Sequence, residues 1–218
     1  MKTTGDGSDT LFIPELNEHY HSTFGAIRES KHIFIDAGLK QKIYSRQKIN
    51  ILEIGFGTGL NAYLTLIETR KHPVKVHYST IEAYPLPEKI IQKLNYPVLL
   101  TPSEPGLFAQ FHNAPWNQEV IISGSFVLLK IYDRLENIEL PEENFDLVYF
   151  DAFAPEVQPE LWTEEIFSKI YQAASDKGIL VTYSAKGNVR RAMRKAGFTI
   201  IKLPGPPGKR EITKAVKH

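Results

Sequence analysis

The chain contains no cysteine and no long uninterrupted apolar segment. Without cysteine it can form neither disulfide bonds nor thiolate metal sites, which favours an intracellular protein. No run reaches the roughly 18 apolar residues that a membrane-spanning helix needs. The first ten residues have neither the basic region nor the apolar region of a signal peptide. The sequence therefore predicts a cytoplasmic protein with no membrane partner.

Two kinds of catalytic motif are also missing. The seven histidines form no H-x-E or H-x-x-x-H set, so we expect no metal site. No G-x-S-x-G turn is present, which argues against a serine hydrolase. Hydrophobic residues nevertheless make up 42% of the 218 residues, enough to bury one substantial core. A single domain with an N-terminal extension fits this length.

The formal net charge of +1 conceals an uneven distribution. Ten lysines and arginines lie between Lys186 and the C-terminus, opposed only by Glu211. Such basic clustering is typical of a surface that binds a polyanion, although a solvated helix face gives the same pattern. The residues that we predict to contact such a polyanion are Lys186, Arg190, Arg191, Lys209 and Arg210.

The hydrophobic pattern predicts strands that alternate with helices. Apolar runs at 49–54, 74–82, 145–151 and 178–183 indicate strands, and another is predicted near 126–131. Helical spacing indicates helices at 60–71, 88–94, 159–174 and 187–196. A hairpin of 198–203 and 211–216 closes the chain. The pattern predicts an α/β, Rossmann-like fold with a mostly parallel sheet and a C-terminal antiparallel hairpin. Residues 1–48 form the extension, and 49–218 form the domain.

A glycine-rich turn follows the first predicted strand. It contains Gly55, Gly57 and Gly59, preceded by Glu53 and followed by Asn61. Glycines at such a turn let the backbone approach a ligand closely. The spacing is G-x-G-x-G, whereas dinucleotide enzymes have G-x-G-x-x-G. A carboxylate at Glu53 suits the ammonium group of a methionine moiety, directly or through water. A tight turn without a ligand remains the alternative.

Three further acids follow predicted strands, where ligands of open α/β sheets bind. Glu82 is placed to accept hydrogen bonds from a ribose diol. Asp133 is placed either to accept from an adenine amino group or to cap a helix. Asp151, followed by Phe153, is placed either to meet an acceptor substrate or to cap the next helix. Together these positions predict a nucleoside-containing cofactor.

The chain resembles the methyltransferase domain of the MnmC family of bacterial tRNA wobble-uridine modification enzymes, in its stand-alone form. The resemblance rests on GFGTGLN (55–61), IEAYPL (81–86), FDLVYFDAFAPEVQPELWTEEIF (145–167), TYSAKGNVRRAMRKAGF (182–198) and GPPGKRE (205–211), and on HSTFGAIRESKHIFIDAGL (21–39) near the N-terminus. Such a relationship implies a class I methyltransferase fold, S-adenosyl-L-methionine as cofactor and tRNA as partner. The chain departs from the family pattern at Tyr132, where the family usually has glycine.

This resemblance also implies a reaction and roles for residues. The reaction is conversion of 5-aminomethyl-2-thiouridine to 5-methylaminomethyl-2-thiouridine, and no flavin domain is expected in this chain. Asp151 would accept the amine N–H, Phe153 would pack against the base or the methyl group, and Glu29 would help close the pocket. Stacking of the base on Trp162 or Tyr183 is a further possibility. Two other functions stay open: transfer of a methyl or aminopropyl group to a small amine, and RNA binding without catalysis.

Overall fold

The computed structural model describes residues 1–218 and is built around one eight-stranded sheet. Its strands, in chain order, are β1 (Lys48–Ile54), β2 (Lys75–Glu82), β3 (Glu119–Ser123), β4 (Phe126–Tyr132), β5 (Phe145–Phe150), β6 (Ala174–Thr182), β7 (Thr199–Pro204) and β8 (Glu211–Val216). Across the sheet the order is β7-β8-β6-β5-β1-β2-β4-β3.

Strand direction confirms the predicted fold class. The five neighbours β6, β5, β1, β2 and β4 run parallel to one another. The hairpin of β7 and β8 pairs antiparallel with β6 at one edge, and β3 pairs antiparallel with β4 at the other. Every residue of β5 is buried, as expected for a central strand covered on both faces. The carboxyl ends of the parallel strands therefore meet at one edge of the sheet, where ligands bind.

Seven short α-helices surround the sheet: α1 (Ala26–Ser30), α2 (Leu60–Thr69), α3 (Glu88–Ile91), α4 (Tyr96–Leu100), α5 (Leu107–Asn113), α6 (Glu164–Ala173) and α7 (Gly187–Lys195). A π-helical segment (Lys31–Asp36) continues α1, and 3-10 turns lie at Leu39–Gln41, Leu135–Asn137 and Pro159–Trp162. Two-residue strands pair Lys2–Thr3 with Asp9–Thr10, and Phe12–Ile13 with Glu18–His19. None of the helices is long and apolar enough to cross a membrane.

The N-terminal segment contributes to the main core. Ile33, Phe34, Ile35 and Leu39 are buried in the larger of two hydrophobic clusters, together with residues of β1 and α2. The smaller cluster lies on the other side of the sheet and contains the buried residues of α6 and α7. Burial of this kind is the main favourable contribution to folding. We infer that residues 1–48 complete the core of the domain.

Two regions differ in detail from the sequence prediction. The strand predicted near 126–131 is confirmed as β4, but residues 96–125, for which the sequence predicted no element, contain α4, α5 and the edge strand β3. The helix expected from Pro159 begins later, at Glu164. The Thr163 hydroxyl accepts a hydrogen bond from the Ile166 amide at 3.3 Å, which caps that helix. Before it, Pro159–Trp162 forms a separate 3-10 turn.

Candidate active site

A cavity of about 570 Å³ lies beyond the carboxyl ends of the parallel strands. Its volume is in the range of pockets that hold a small molecule or a cofactor. The wall contains glycine-loop residues, the ends of β2, β4 and β5, part of the N-terminal segment and the loop between β7 and β8. The predicted site residues on this wall are Gly55, Gly57, Asn61, Glu82, Asp133, Asp151, Phe153, Lys186 and Lys209.

The glycine loop is held in a conformation that other residues rarely adopt. Gly55, Gly57 and Gly59 have φ of 90°, 50° and 73°. A Cβ on Gly55 would lie 2.7 Å from the carbonyl oxygen of Asp151, which is closer than real contacts allow. One on Gly57 would lie 3.0 Å from the ring of Tyr20. Close approach of the strand end and of the N-terminal segment therefore requires glycine here.

Glu82 is fixed at the end of β2 by the loop that it faces. Its Oε2 accepts a hydrogen bond from the Gly57 amide at 2.9 Å, and its Oε1 accepts one from the Tyr84 amide at 2.8 Å. Bonds to a charged acceptor are stronger than neutral ones. The carboxylate is thereby placed on the cavity wall beside the glycine loop, where a diol could bind it.

Asp133 lines the cavity, but it is not the N-cap residue that the sequence offered as the alternative. It follows the last residue of β4, and its Oδ1 accepts hydrogen bonds from the Arg134 amide at 2.7 Å and from Asn137 Nδ2 at 3.0 Å. Both bonds lower the pKa of Asp133, and the bond from Asn137 has the larger effect. Arg134 is the N-cap residue of the turn at Leu135–Asn137, so Asp133 contacts this turn through the Asn137 side chain and also lines the cavity. Tyr132, beside it, is exposed.

The cavity has two halves. The first half is lined by the glycine loop, Glu82 and Asp133, and the second half by Glu29, Phe153, Tyr183 and Lys209. Asp151 lies where the two halves meet. Asn61, in the first turn of α2, donates from Nδ2 to Asp151 Oδ2 at 2.8 Å. The pKa of Asp151 is raised to about 7, mainly by burial and also by the negative charge of Glu29. The Asn61 hydrogen bond and the positive charge of Lys209 act in the opposite direction. A carboxyl group that titrates near neutrality inside a cavity is typical of a functional group.

The N-terminal segment and the loop between β7 and β8 cover the second half of the cavity and form its roof. Glu29 accepts a hydrogen bond at Oε2 from the Ser22 amide at 2.8 Å, and its Oε1 lies 3.5 Å from Lys209 Nζ. The Lys209 ammonium also lies 4.8 Å from the centroid of the Tyr183 ring. Tyr20 contacts Phe153 edge to face, with 5.1 Å between ring centroids. The ion pair between Glu29 and Lys209 thus joins residues far apart in sequence.

The structure corrects the assignment of three residues. Glu53 is completely buried and does not line the cavity. Arg190 is not on the surface: it is buried, and its guanidinium donates to Thr213 Oγ1, Glu211 and the Ile212 carbonyl oxygen. It therefore cannot contact phosphate. Trp162 is buried and donates from Nε1 to the Phe153 carbonyl oxygen, so it offers no face for stacking.

The remaining predicted RNA contacts occupy different environments. Lys209 is partly exposed and lies where the cavity meets a neighbouring groove. Lys186 is exposed and forms an ion pair with Glu156. Arg191 and Arg210 are exposed. No group of three or more potential ligand side chains is arranged to hold a metal ion.

Two site residues were missed by the sequence analysis. Tyr20 packs against Gly57 and Phe153, and His21 Nε2 lies 2.8 Å from Thr58 Oγ1 in the glycine loop. Burial lowers the pKa of His21 to about 4. Nothing in the local pattern of residues 10–22 indicates contact with the loop. Only the match of 21–39 to the family's opening segment hinted at a role for this region.

The residues of the first half of the cavity fit S-adenosyl-L-methionine. Gly55 and Gly57 line the cavity without side chains, so a ligand can approach the loop backbone, and Glu82 supplies a carboxylate for the ribose. Asp133 and Tyr84 lie farther along the same wall, where an adenine would extend. Asp151 lies beside Gly55, so the glycine loop, Glu82 and Asp133 would hold the cofactor on the wall next to Asp151.

Comparison with known proteins agrees with this geometry. Residues 107–218 match the model of a family described as S-adenosyl-L-methionine-dependent methyltransferase. The chain is 29% identical over 217 residues to the tRNA 5-methylaminomethyl-2-thiouridine biosynthesis bifunctional protein MnmC of Burkholderia multivorans, covering 92% of this chain and 32% of that protein. The MnmC protein of Cupriavidus necator is 31% identical over 214 residues, covering 94% of this chain and 32% of that protein. The chain thus spans about a third of the length of these relatives.

Two solved structures share the fold. The crystal structure of MNMC2 from Aquifex aeolicus has a TM-score of 0.76 and 28% identity, covering 97% of this chain and 68% of that chain. Spermidine synthase from Thermotoga maritima has a TM-score of 0.54 and 16% identity, covering 97% and 69%, which shows likeness of fold alone. The chain therefore belongs to the S-adenosyl-L-methionine-dependent methyltransferase family and corresponds to the methyltransferase domain of the MnmC proteins.

Proposed function

We propose that this enzyme methylates the aminomethyl group of wobble 5-aminomethyl-2-thiouridine in tRNA, giving 5-methylaminomethyl-2-thiouridine. The names of the MnmC relatives support a role in making this nucleoside. The observation that carries the proposal is the position of Asp151 between the glycine loop and the roofed half of the cavity. That half has room for an acceptor beside a carboxyl group.

The surroundings of Asp151 suit an amine acceptor. The carboxyl groups of Asp151 and Glu29 both line the cavity, and the Lys209 ammonium lies 3.5 Å from Glu29. An amine arriving in its protonated form would be attracted to such a site. Phe153 and Tyr20 provide an aromatic wall that suits a flat base. The aminomethyl uridine would combine both features.

S-adenosyl-L-methionine, when bound, supplies an electrophilic methyl group on a sulfonium. The acceptor amine must be neutral to attack, and Asp151 is placed to take its proton or to accept an N–H hydrogen bond. During transfer the bond from methyl to sulfur breaks while the bond from methyl to nitrogen forms, and the nitrogen gains positive charge. The Asp151 carboxylate would stabilise that charge. Asn61 would hold the carboxylate in place through its 2.8 Å hydrogen bond.

The RNA chain would leave the cavity over a basic groove. This groove adjoins the cavity at Ala154 and Tyr183 and is lined by four cations, Lys186, Lys202, Lys209 and Arg210, and one acid, Glu211. Phosphate contacts of this kind position a nucleic acid without reading its sequence. Arg191, exposed on α7, extends the basic surface. Lys202 was not among the residues predicted from sequence.

The decisive experiment uses tRNA that carries the free aminomethyl uridine. We expect incubation with the enzyme and S-adenosyl-L-methionine to add one methyl group to that nucleoside, as seen by mass spectrometry. A tRNA whose wobble uridine lacks the aminomethyl group is the control and should remain unchanged. Methylation of spermidine or putrescine in place of tRNA would instead support a small-amine transferase. Binding of the cofactor without any methylated nucleoside would support an RNA-binding module.

The groove is tested by a second experiment with a matched control. Replacing Lys202 and Arg210 with glutamine should weaken tRNA binding and flatten its dependence on salt by roughly one unit of slope per lost contact. The control replaces Lys48 and Lys75, exposed residues at the amino ends of β1 and β2 on the opposite edge of the sheet. An equal loss of affinity in both variants would place the tRNA surface elsewhere.

A further inference from the structure

Glu53 is an acid buried beside the site that neither lines the cavity nor forms an ion pair. Its exposure is 0%, and it sits one residue before the end of β1. In the sheet it is in register with Thr80 on β2 and Tyr149 on β5, so these side chains share one face of the sheet. Tyr149 contacts Thr65 of α2 on that face. Glu53 therefore points toward α2, whose first turn contains Asn61.

The polar atoms around Glu53 form an incomplete hydrogen-bond set. Both Glu53 carboxyl oxygens, Asn61 Oδ1, Tyr78 OH and Thr80 Oγ1 are buried and have no hydrogen-bond partner. The side chains of Thr80, Asn61 and Tyr78 nevertheless all approach the Glu53 carboxyl. Buried polar groups are rarely left without partners because the cost is about 1–3 kcal/mol for each. The set therefore lacks a hydrogen-bond donor for Asn61 Oδ1.

A proton on the Glu53 carboxyl group supplies the missing hydrogen-bond donor. An ionised carboxylate only accepts hydrogen bonds, whereas a carboxylic acid has one donor and retains an acceptor. The Asn61 amide already donates from Nδ2 to Asp151, so its Oδ1 needs a donor. The protonated Glu53 can provide that donor. Its other oxygen can then accept from the hydroxyl of Thr80 or Tyr78.

The charges near Glu53 also favour the neutral acid. Burial raises the pKa of Glu53 well above its ordinary value, and the nearby negative charge of Asp151 adds to this rise. Lys130, next to Thr80 in the same row of the sheet, does not compensate. Its Nζ donates to the His112 carbonyl oxygen at 2.8 Å and lies 4.6 Å from the Trp116 ring, without an ion pair to Glu53. A buried carboxylate with no partner would be costly.

We propose that Glu53 is a positioning residue that works as a neutral carboxylic acid, donating a hydrogen bond to Asn61 Oδ1. That bond fixes the orientation in which Asn61 Nδ2 donates to Asp151. The chain Glu53–Asn61–Asp151 thus links the end of β1 to the carboxyl group at the acceptor. This role rests on the proposed function of Asp151, and it replaces the contact with a methionine ammonium that the sequence suggested for Glu53.

Glu53→Gln is the first test, because an amide offers one donor side and one acceptor side, as a neutral acid does. Affinity for S-adenosyl-L-methionine, measured by calorimetry, should stay within about threefold of the unchanged protein. Turnover and its pH profile should also be retained. A contact between an ionised Glu53 and the methionine ammonium makes the opposite forecast, since a lost charged hydrogen bond of about 1.5–3 kcal/mol lowers affinity at least tenfold. A tenfold loss in a folded variant would overturn the proposal.

Glu53→Met is the complementary variant, because it removes the donor and keeps an apolar side chain of similar size. Without the bond, the Asn61 amide loses its fixed orientation. The acidic limb of the kcat–pH profile should then move to higher pH, since the Asn61 hydrogen bond lowers the pKa of Asp151. Asn61→Ala should cause the same movement, and the double variant should show no additional one. Additive shifts of the acidic limb in the double variant would refute the hydrogen-bonded link from Glu53 through Asn61 to Asp151.

Infrared spectroscopy of the unmodified protein gives a readout that depends on neither turnover nor variant stability. At pH 8 and in the absence of substrate, the spectrum should contain a carbonyl band of a protonated carboxyl group. That band should disappear in Glu53→Gln and persist in Asp151→Asn. Its absence from the unmodified protein would exclude a neutral Glu53. Because the band does not depend on the acceptor, a failure of the proposed reaction leaves this result interpretable.

Discussion

Replacing Asp151 with asparagine should abolish most of the activity while making the fold more stable. Asparagine is nearly isosteric, and its Oδ1 can still accept the hydrogen bond from Asn61 Nδ2. It cannot take a proton or stabilise a developing positive charge. We therefore expect turnover to fall on the order of a hundredfold or more. Cofactor affinity should change much less, since the glycine loop and Glu82 are unaffected.

The gain in stability follows from the pKa of Asp151. Burial raises it from 3.8 to about 7. The folded chain therefore holds this proton more tightly than the unfolded chain, and stability falls as pH rises from about 4 to 7 and stays reduced above 7. One pKa unit corresponds to about 1.4 kcal/mol, so the full penalty is up to about 4 kcal/mol above pH 7. Asp151→Asn removes the penalty.

Urea unfolding at two pH values measures this effect. The free energy of unfolding gained by Asp151→Asn should be about 2–3 kcal/mol larger at pH 8 than at pH 5, because much less of the penalty is present at pH 5. Asp176→Asn is the matched control, because this acid is exposed on β6. An equal gain at both pH values, or a loss at pH 8, would refute the assignment of a costly buried carboxylate to Asp151.

Three more predictions test separate parts of the site. Glu82→Ala removes a charged acceptor from the cofactor wall and should weaken S-adenosyl-L-methionine binding at least about tenfold by calorimetry; an unchanged affinity would remove Glu82 from the site. Glu29→Gln should move the acidic limb of the kcat–pH profile to lower pH and Lys209→Gln should move it to higher pH, because Glu29 raises the pKa of Asp151 and Lys209 lowers it. Movement in the same direction would contradict the roof geometry. Arg190→Met should lower the free energy of unfolding by about 1–3 kcal/mol, because it removes the buried guanidinium that donates to Thr213 and Ile212, while the salt dependence of tRNA binding stays constant. A flatter salt dependence in the folded variant would return Arg190 to the RNA surface.

Much of the fold could be predicted because its signals are local. The runs that became β1, β2, β5 and β6 consist of apolar residues ending at turns, as buried parallel strands do. Positive φ at the three loop positions allows few residues other than glycine, so the spacing of Gly55, Gly57 and Gly59 is visible in the sequence. The helices α4 and α5 could not be predicted from the sequence pattern because they are only five and seven residues long. Helices so short depend on tertiary packing.

Which of the predicted residues lie together in the site was decided by packing. Glu53 and Asp151 both stand near the ends of buried strands, and the sequence does not distinguish them. In the fold, Glu53 points under α2, whereas Asp151 follows the last residue of β5 and faces the cavity. Lys209 was predicted as a surface cation, but the hairpin that contains it folds back over Tyr183 and Glu29.

Arg190 and Arg191 show the same limit on α7. The sequence determined that this segment is a basic helix with Val189 and Met193 on its apolar side, because helical spacing is local. It could not determine which neighbouring arginine turns inward, since that depends on where Thr213 and Glu211 lie. The tertiary structure brings β8 beside α7, and three hydrogen bonds then hold the Arg190 guanidinium away from water while Arg191 stays exposed. Charge and helical phase are written in the sequence, but a partner more than 20 residues away is supplied only by the fold.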